Sequence, residues 1–225
     1  MVDAKKTEQR YILQDVIEEN ESVRSYLFYY GLTPFQFSPG QFVVTRLGES
    51  GPFRASLSLS SSANDRDKFE LTVKRTGDFG THFFDNAQVG SLVLMTQPSG
   101  PFVLDAQDTS PICFVGCDYS IPSARSFLRT LRENQSNRPF VLIQELTAES
   151  EVLFGAEFKD PHYRHFSWKT VAKGGLTAEY LSKELLDPKV WSFYVQAEGV
   201  EAKTYQNVIR SLGVEPARLR VERWS

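Results

Sequence analysis

Apolar and polar residues alternate with two different rhythms along this chain, and the change of rhythm divides it. From residue 10 to about 104 the pattern is short strand, turn, short strand. Tyr11–Glu18 and Val23–Tyr30 are β-rich runs separated by the polar cluster Glu19–Ser22. Gln41–Arg46 follows the turn Ser38-Pro39-Gly40, and Ser56–Ser61 alternates serine with leucine at period two. Lys68–Lys74 alternates as well, and Leu92–Met95 closes the set after Val89-Gly90. Six strands at this spacing predict an antiparallel barrel or sandwich. One short helix is expected among them, near Thr81–Ala87, with Thr81 as its N-cap.

From about residue 110 the rhythm becomes strand–helix alternation. Strands are predicted at Pro111–Val115, Phe140–Leu146, His165–Val171, Trp191–Gln196 and Leu219–Glu222. Helices are predicted across Ser123–Asn134, near Glu151–Phe158, near Thr177–Leu186 and across Val200–Leu212. Several of these strands are continuous apolar runs, the pattern of a sheet covered by helices on both faces. The second half therefore reads as a doubly wound parallel sheet. The polar stretch Asp105–Ser110 marks the boundary, giving a barrel domain over residues 1–105 and an α/β domain over residues 106–225.

Composition narrows the function. The 225 residues are 41% hydrophobic and 24% charged, as in a globular protein with a real core. The net charge of −3 and the lack of any Lys/Arg block leave no electrostatic footprint for nucleic acid. No apolar run is long enough for membrane insertion, and no secretory h-region is visible, so a cytoplasmic location is expected. Cys113 and Cys117 lie on a strand and its exit, about 13 Å apart by strand rise. A disulfide tolerates about 7 Å at most, so both are expected to be free thiols. Two cysteines cannot hold a four-cysteine iron–sulfur cluster, so any such centre belongs to a separate partner. The three histidines form no metal-ligand spacing.

Several local motifs fall in order along this architecture. They are Pro39-Gly40-Gln41-Phe42, Leu57-Ser58-Leu59-Ser60-Ser61, Pro98-Ser99-Gly100-Pro101-Phe102, and Gly213 followed by Glu222-Arg223-Trp224. With them the chain resembles the ferredoxin–NADP reductase superfamily over nearly its whole length. The resemblance implies a barrel that binds FAD and an α/β domain that binds NAD(P)H. It also implies hydride transfer from nicotinamide to flavin, with electrons passed to a separate redox protein or small acceptor.

The same resemblance assigns site residues and shows departures. Leu57 takes the place of the family's flavin-stacking tyrosine. Ser58 matches the serine near flavin N5, and Leu59 and Ser60 continue the flavin-lining strand. The family's phosphate-pairing arginine falls at Ala55, with Arg54 one residue early; a bulge at Arg54–Ser56 would restore the register. Read without the family, this is a half-buried strand with Leu57 and Leu59 in the core and the serines outside. Gly77, Gly80 and Thr81 lie where flavin pyrophosphate meets a helix N-terminus. The family's glycine-rich nucleotide turn corresponds to Gly116-Cys117-Asp118-Tyr119-Ser120-Ile121-Pro122. Two of its glycines become Cys117 and Tyr119, which add bulk, and Asp118 adds a negative charge. Gln196 replaces the cysteine beside the nicotinamide, and Glu198 adds a carboxylate. Gln144-Glu145-Leu146-Thr147 lacks the basic residue of NADP-using members. Trp224 either stacks beside the flavin or seals the junction of barrel and sheet.

These departures leave three readings of function. The first is an FAD-containing reductase with weak NAD(P)H use, Ser58 and Trp224 acting at the flavin. The second is a binding or assembly subunit that keeps the fold without nicotinamide-dependent activity. The third is a reductase with an unusual electron donor. The sequence carries no sign of the oligomeric state.

Overall fold

The computed structural model describes residues 8–30, 36–117, 120–147, 152–159 and 162–224. The chain forms two compact units. The first takes Met1–Leu104 and Arg125–Thr130, and the second takes Asp105–Ala124 and Leu131–Ser225.

The first unit holds six strands: β1 (Gln9–Asn20), β2 (Val23–Tyr29), β3 (Phe42–Leu47), β4 (Ala55–Ser58), β5 (Lys68–Lys74) and β6 (Leu92–Met95). They form an antiparallel sheet in the order β4-β3-β6-β1-β2-β5. The bridge Leu59↔Leu71 and the bond from Ser60 N–H to Glu70 C=O (2.9 Å) bring its two edges together. Closure satisfies strand edges that would otherwise be exposed. Alternation sends Leu13, Val43, Leu71, Val73 and Val93 inward, where they pack with Tyr26, Phe28 and Phe69. Tyr11 and Phe69 meet edge to face at 5.1 Å. Burial pushes the Tyr11 and Tyr26 hydroxyls up to about 12. One helix, α1 (Gly77–Asn86), lies between β5 and β6 in the chain and buries Phe83 and Phe84.

The second unit alternates β7 (Ile112–Gly116), α2 (Ile121–Glu133), β8 (Phe140–Leu146), α3 (Gly155–Phe158), β9 (Phe166–Ala172), α4 (Ala178–Leu185), β10 (Ser192–Glu198), α5 (Gly199–Ser211) and β11 (Leu219–Trp224). Its sheet is parallel, ordered β11-β10-β7-β8-β9. Cys113, Val115, Ile143 and Val195 pack with Leu181, Leu185, Tyr205 and Ile209 in its core. Thr177 caps α4, its Oγ1 accepting the Tyr180 N–H at 3.1 Å. Pro122 sits in the first turn of α2, where a missing N–H costs no helical bond. The expected barrel and doubly wound sheet are both present.

Two expectations need correction. The helix predicted near Thr81–Ala87 begins four residues earlier, at Gly77. Thr81 is therefore not the N-cap; it is an exposed residue inside the helix, and Thr76 holds the cap position. Nor is there a bulge in β4. The pairs Phe42↔Ser58, Val43↔Leu57, Val44↔Ser56 and Thr45↔Ala55 run in unbroken register.

Candidate functional site

The unbroken register decides which residues can meet a ligand on the outside of the barrel. Paired residues in antiparallel strands point to the same face. Val43 is fully buried, so its partner Leu57 turns inward and packs on the core. Leu57 therefore does not occupy the place of a stacking tyrosine. Arg54, Ser56 and Ser58 fall on the outer face by alternation. Leu59 is fully buried in the core. Ser60 is also fully buried, and its hydroxyl is committed to Glu70 Oε1 (3.1 Å) and Thr72 Oγ1 (3.1 Å). The buried Glu70 carboxylate is in turn paired with Arg125 and Arg129 of the same unit. So Leu57 and Leu59 are inside, as the family-free reading had it, but Ser60, Ser61 and Ser62 are buried as well.

Arg54 sits just ahead of β4 and is largely exposed. Its guanidinium meets Glu8 Oε1 at 3.0 Å, while Glu8 Oε2 accepts from Arg46 at 2.8 Å. An internal carboxylate thus already bridges two arginines on this face. Around α1, Gly77 adopts a left-handed φ of +60° that favours glycine, with open space where a Cβ would be. Gly80 does a different job: a Cβ there would lie 2.3 Å from the Lys74 carbonyl oxygen, so it lets α1 approach the end of β5. Thr76 gives no side-chain cap, so the first N–H groups of α1 keep their donors for an anion. These features fit the phosphates of a flavin dinucleotide. No aromatic ring accompanies Arg54 on its face of β4.

The second unit places its polar groups at the carboxyl end of the sheet. The strand order reverses at β7, the position where open α/β sheets leave a ligand crevice. Register lines up Glu222, Gln196, Gly116, Gln144 and Thr170 across five strands. Gly116 has to be glycine: a Cβ would stand 1.8 Å from Ser120 Oγ and 3.2 Å from the Gln196 carbonyl oxygen. Ser120 closes the turn after β7, with its N–H (2.9 Å) and Oγ (2.6 Å) both donating to the Cys117 carbonyl. Cys117 is half-buried, and the fully buried Cys113 is a free thiol that burial pushes up. Asp118 and Tyr119, the other altered positions of the turn, lie outside the described residues.

Gln196 and Gln144 are both fully buried. The Gln196 amide donates to Glu222, and the Gln144 Oε1 accepts the Trp168 indole N–H at 3.3 Å. Gln196 Oε1, Gln144 Nε2 and the buried Ser123 Oγ have no hydrogen-bond partner among the described residues. Burial raises the Glu222 carboxyl above its ordinary value, against hydrogen bonds from Gln196 and Trp224 that lower it. Trp224 ends β11 opposite Glu198, half-buried, and Glu198 itself is exposed. Glu145 faces the other way: its carboxylate accepts the Tyr205 hydroxyl at 2.8 Å and the Gly174 N–H at 3.0 Å. Sequence reasoning named Gln196 and the segment Gln144–Thr147 but did not show Gln144 or Ser123 as unpaired buried groups, because burial and pairing are set by tertiary contacts.

The described residues thus form a closed antiparallel barrel and a parallel sheet whose strand order reverses at β7. No family model matches the chain. Among curated proteins it is similar to the ferredoxin reductase component of 3-ketosteroid-9-alpha-monooxygenase from Mycolicibacterium smegmatis. The two are 30% identical over 156 residues, 65% of this chain and 44% of the relative. It is 23% identical to flavohemoprotein B of Dictyostelium discoideum over 223 residues, 89% of this chain and 52% of that protein. The chain thus spans about half the length of the curated relatives it matches. A flavohem-like FAD/NAD-binding domain of nitric oxide dioxygenase from Vibrio cholerae superposes with a TM-score of 0.80 at 17% identity, covering 96% of this chain and 98% of that one. Phthalate dioxygenase reductase gives 0.78 at 18%, covering 96% and 68%. Sequence relatives and structural neighbours agree: the chain is similar to ferredoxin reductase components and flavohemoproteins, and it shares the fold of the solved reductases. Among the described residues no helix is long and apolar enough to cross a membrane.

Proposed function

We propose that the chain is an FAD-containing NAD(P)H oxidoreductase of the ferredoxin reductase type, which passes electrons to a separate carrier protein or small acceptor. The observation that carries this reading is the pair of sites on this fold: an uncapped α1 behind the left-handed Gly77, and a polar row at the switch point of the parallel sheet. The relatives add weight, since they include a ferredoxin reductase component and an NADPH oxidoreductase of Mycobacterium tuberculosis.

In this reading residues 1–105 hold FAD and residues 106–225 hold the nicotinamide nucleotide. The N–H groups at the start of α1 bind flavin phosphate, with Gly77 keeping the approach open. Arg54 supplies positive charge on the outer face of β4, and Ser58 offers a hydroxyl there. In the second unit, Gly116 and the start of α2 at Pro122 and Ser123 receive the nucleotide, while Gln196 and Trp224 orient its reactive end. FAD, when bound, supplies the hydride and one-electron chemistry; the protein supplies binding, orientation and exclusion of water. Nicotinamide use is weak, because Cys117 puts a side chain where close approach to a phosphate favours glycine.

A second reading, a fold-retaining binding or assembly subunit, is favoured by one observation. Arg54 is already engaged by Glu8, and its face of β4 has Ser56 where a ring would be expected. Anaerobic mixing of the FAD-loaded protein with NADH separates the two. Bleaching of the flavin absorbance supports the reductase; a flavin that stays oxidised at saturating NADH supports the subunit.

A further inference from the structure

Three arginines stand in a row on the outer face of the barrel, and one carboxylate joins two of them. Val43 and Thr45 are fully buried, so Arg46, next after Thr45 on β3, turns outward. The pair Thr45↔Ala55 puts Arg54 at the next position on the neighbouring chain segment, opposite Arg46. On the other side, Leu94 of β6 pairs with both Arg46 and Arg10 of β1. Like charges directly opposite on adjacent strands repel. Glu8, just ahead of β1, relieves this. Its Oε2 accepts from Arg46 Nε (3.0 Å) and Nη2 (2.8 Å), and its Oε1 lies 3.0 Å from Arg54 Nη2. Arg46 Nη1 donates to the Glu49 carbonyl, and the Glu49 carboxylate pairs with Arg10. The cover over this bridge is uneven: the Glu8 and Arg46 side chains are 17% and 18% exposed, that of Arg54 59%. Arg54 is therefore its open side.

Carboxylate and phosphate oxygens are interchangeable acceptors for a guanidinium. We propose that Glu8 is a displaceable internal anion, and that a flavin dinucleotide enters the barrel site by taking its place on Arg54. This rests on the reading that the barrel binds FAD with Arg54 meeting its phosphate. A pyrophosphate carries two negative charges and more acceptor oxygens than the single carboxylate it replaces. Glu8 is not stranded by the exchange. Once parted from Arg54, its Oε1 is free to turn onto Arg46, whose Nε and Nη2 already face Oε2, and a parallel two-bond pair results. The half-buried carboxylate thus keeps a cationic partner in both states. The contact between Glu8 and Arg54 must be given up before any phosphate contact to Arg54 forms. The free protein therefore holds FAD less tightly than its own arginines would allow.

Fluorescence titration of the full chain with FAD, and with riboflavin, which has no phosphate, tests it. Glu8→Gln should tighten FAD about ten-fold, the effect of one charge-assisted hydrogen bond, and leave riboflavin unchanged. Adding Arg54→Gln to that variant should abolish the gain. A crystal structure of the unmodified protein with FAD bound is a second measurement that needs no variant. In it the Glu8 carboxylate should stand more than about 4 Å from the Arg54 guanidinium, beyond ion-pair range. FAD bound no more tightly by Glu8→Gln overturns the inference and leaves the flavin reading intact; weaker binding would mean that Glu8 orients Arg54 for the flavin instead of competing with it. An equal gain for riboflavin, or one that survives the loss of Arg54, overturns it as well, and so does a Glu8–Arg54 pair that persists beside bound FAD. No FAD uptake by the original or the variant overturns the inference together with the reading on which it rests.

Discussion

Gly116→Ala should destabilise the second unit through a single overlap. The added Cβ would stand 1.8 Å from Ser120 Oγ and 2.8 Å from Ser120 Cβ, far inside van der Waals contact. The Gln196 carbonyl oxygen at 3.2 Å closes the opposite direction, so the backbone of β7 has little room to retreat. Ser120 must move, and both of its bonds to the Cys117 carbonyl weaken. Overpacking costs about 1–3 kcal/mol and a hydrogen bond about 1 kcal/mol more, for an expected loss of about 2–4 kcal/mol. Gly116 does not have a positive φ, so backbone strain adds nothing to this sum. Urea unfolding followed by circular dichroism reads the loss as a fall in the midpoint on the order of 1 M. Ser120→Gly removes the atoms that collide. In a double-mutant cycle the pair should therefore show a coupling of about 1–2 kcal/mol in favour of the double variant. A Gly116→Ala protein within about 0.5 kcal/mol of the original would refute the reasoning. So would a double variant no more stable than the sum of its parts.

Other consequences can be checked in the same way. Burial alone would raise the Asp108 carboxyl, but hydrogen bonds from Ser192 and Ser110 and the Arg138 charge outweigh it and bring it from 3.8 to about 2. Its stabilising effect, about 2 kcal/mol, is complete above pH 4 or so and is lost as pH falls toward 2. Asp108→Asn should therefore be less stable at pH 6 and equal to the original near pH 2; a gap independent of pH contradicts this. Leu57→Ala should cost about 2 kcal/mol as a core truncation, whereas Ser56→Tyr, on the outer face, should tighten FAD about three- to ten-fold by stacking. Fluorescence titration showing the reverse, a gain from changing Leu57 and none at Ser56, would put the flavin on the other face. NADH should reduce the bound flavin faster than NADPH, because the segment from Gln144 to Thr147 holds no basic residue to meet a 2′-phosphate; faster reduction by NADPH contradicts that preference.

The two rhythms of the sequence led directly to the two sheets, because strand alternation and buried parallel runs are local patterns. The faces of β4 were not legible in the same way. Whether Leu57 points in or out depends on its pairing with Val43, 14 positions away in the chain, and a one-residue choice of register reverses every side chain. The start of α1 was misplaced for a related reason. Gly77 and Gly80 discourage a helix by propensity, yet Gly80 is there so that α1 can approach the Lys74 carbonyl, a tertiary contact. At the sheet edge, Gly116 and Gln196 stood out as motif positions. The segment from Gln144 to Thr147 stood out too, but that Gln144 lies beside Gly116 followed only from the parallel register.

The central claim is that the barrel is a flavin site, and identification of the released cofactor tests it most directly. The purified protein is denatured, and the supernatant is separated by chromatography against FAD and FMN standards. A preparation that emerges colourless is first incubated with FAD and freed of excess. The account predicts FAD at close to one per chain, released on denaturation. A protein that carries no flavin and takes up none when FAD is supplied would contradict it.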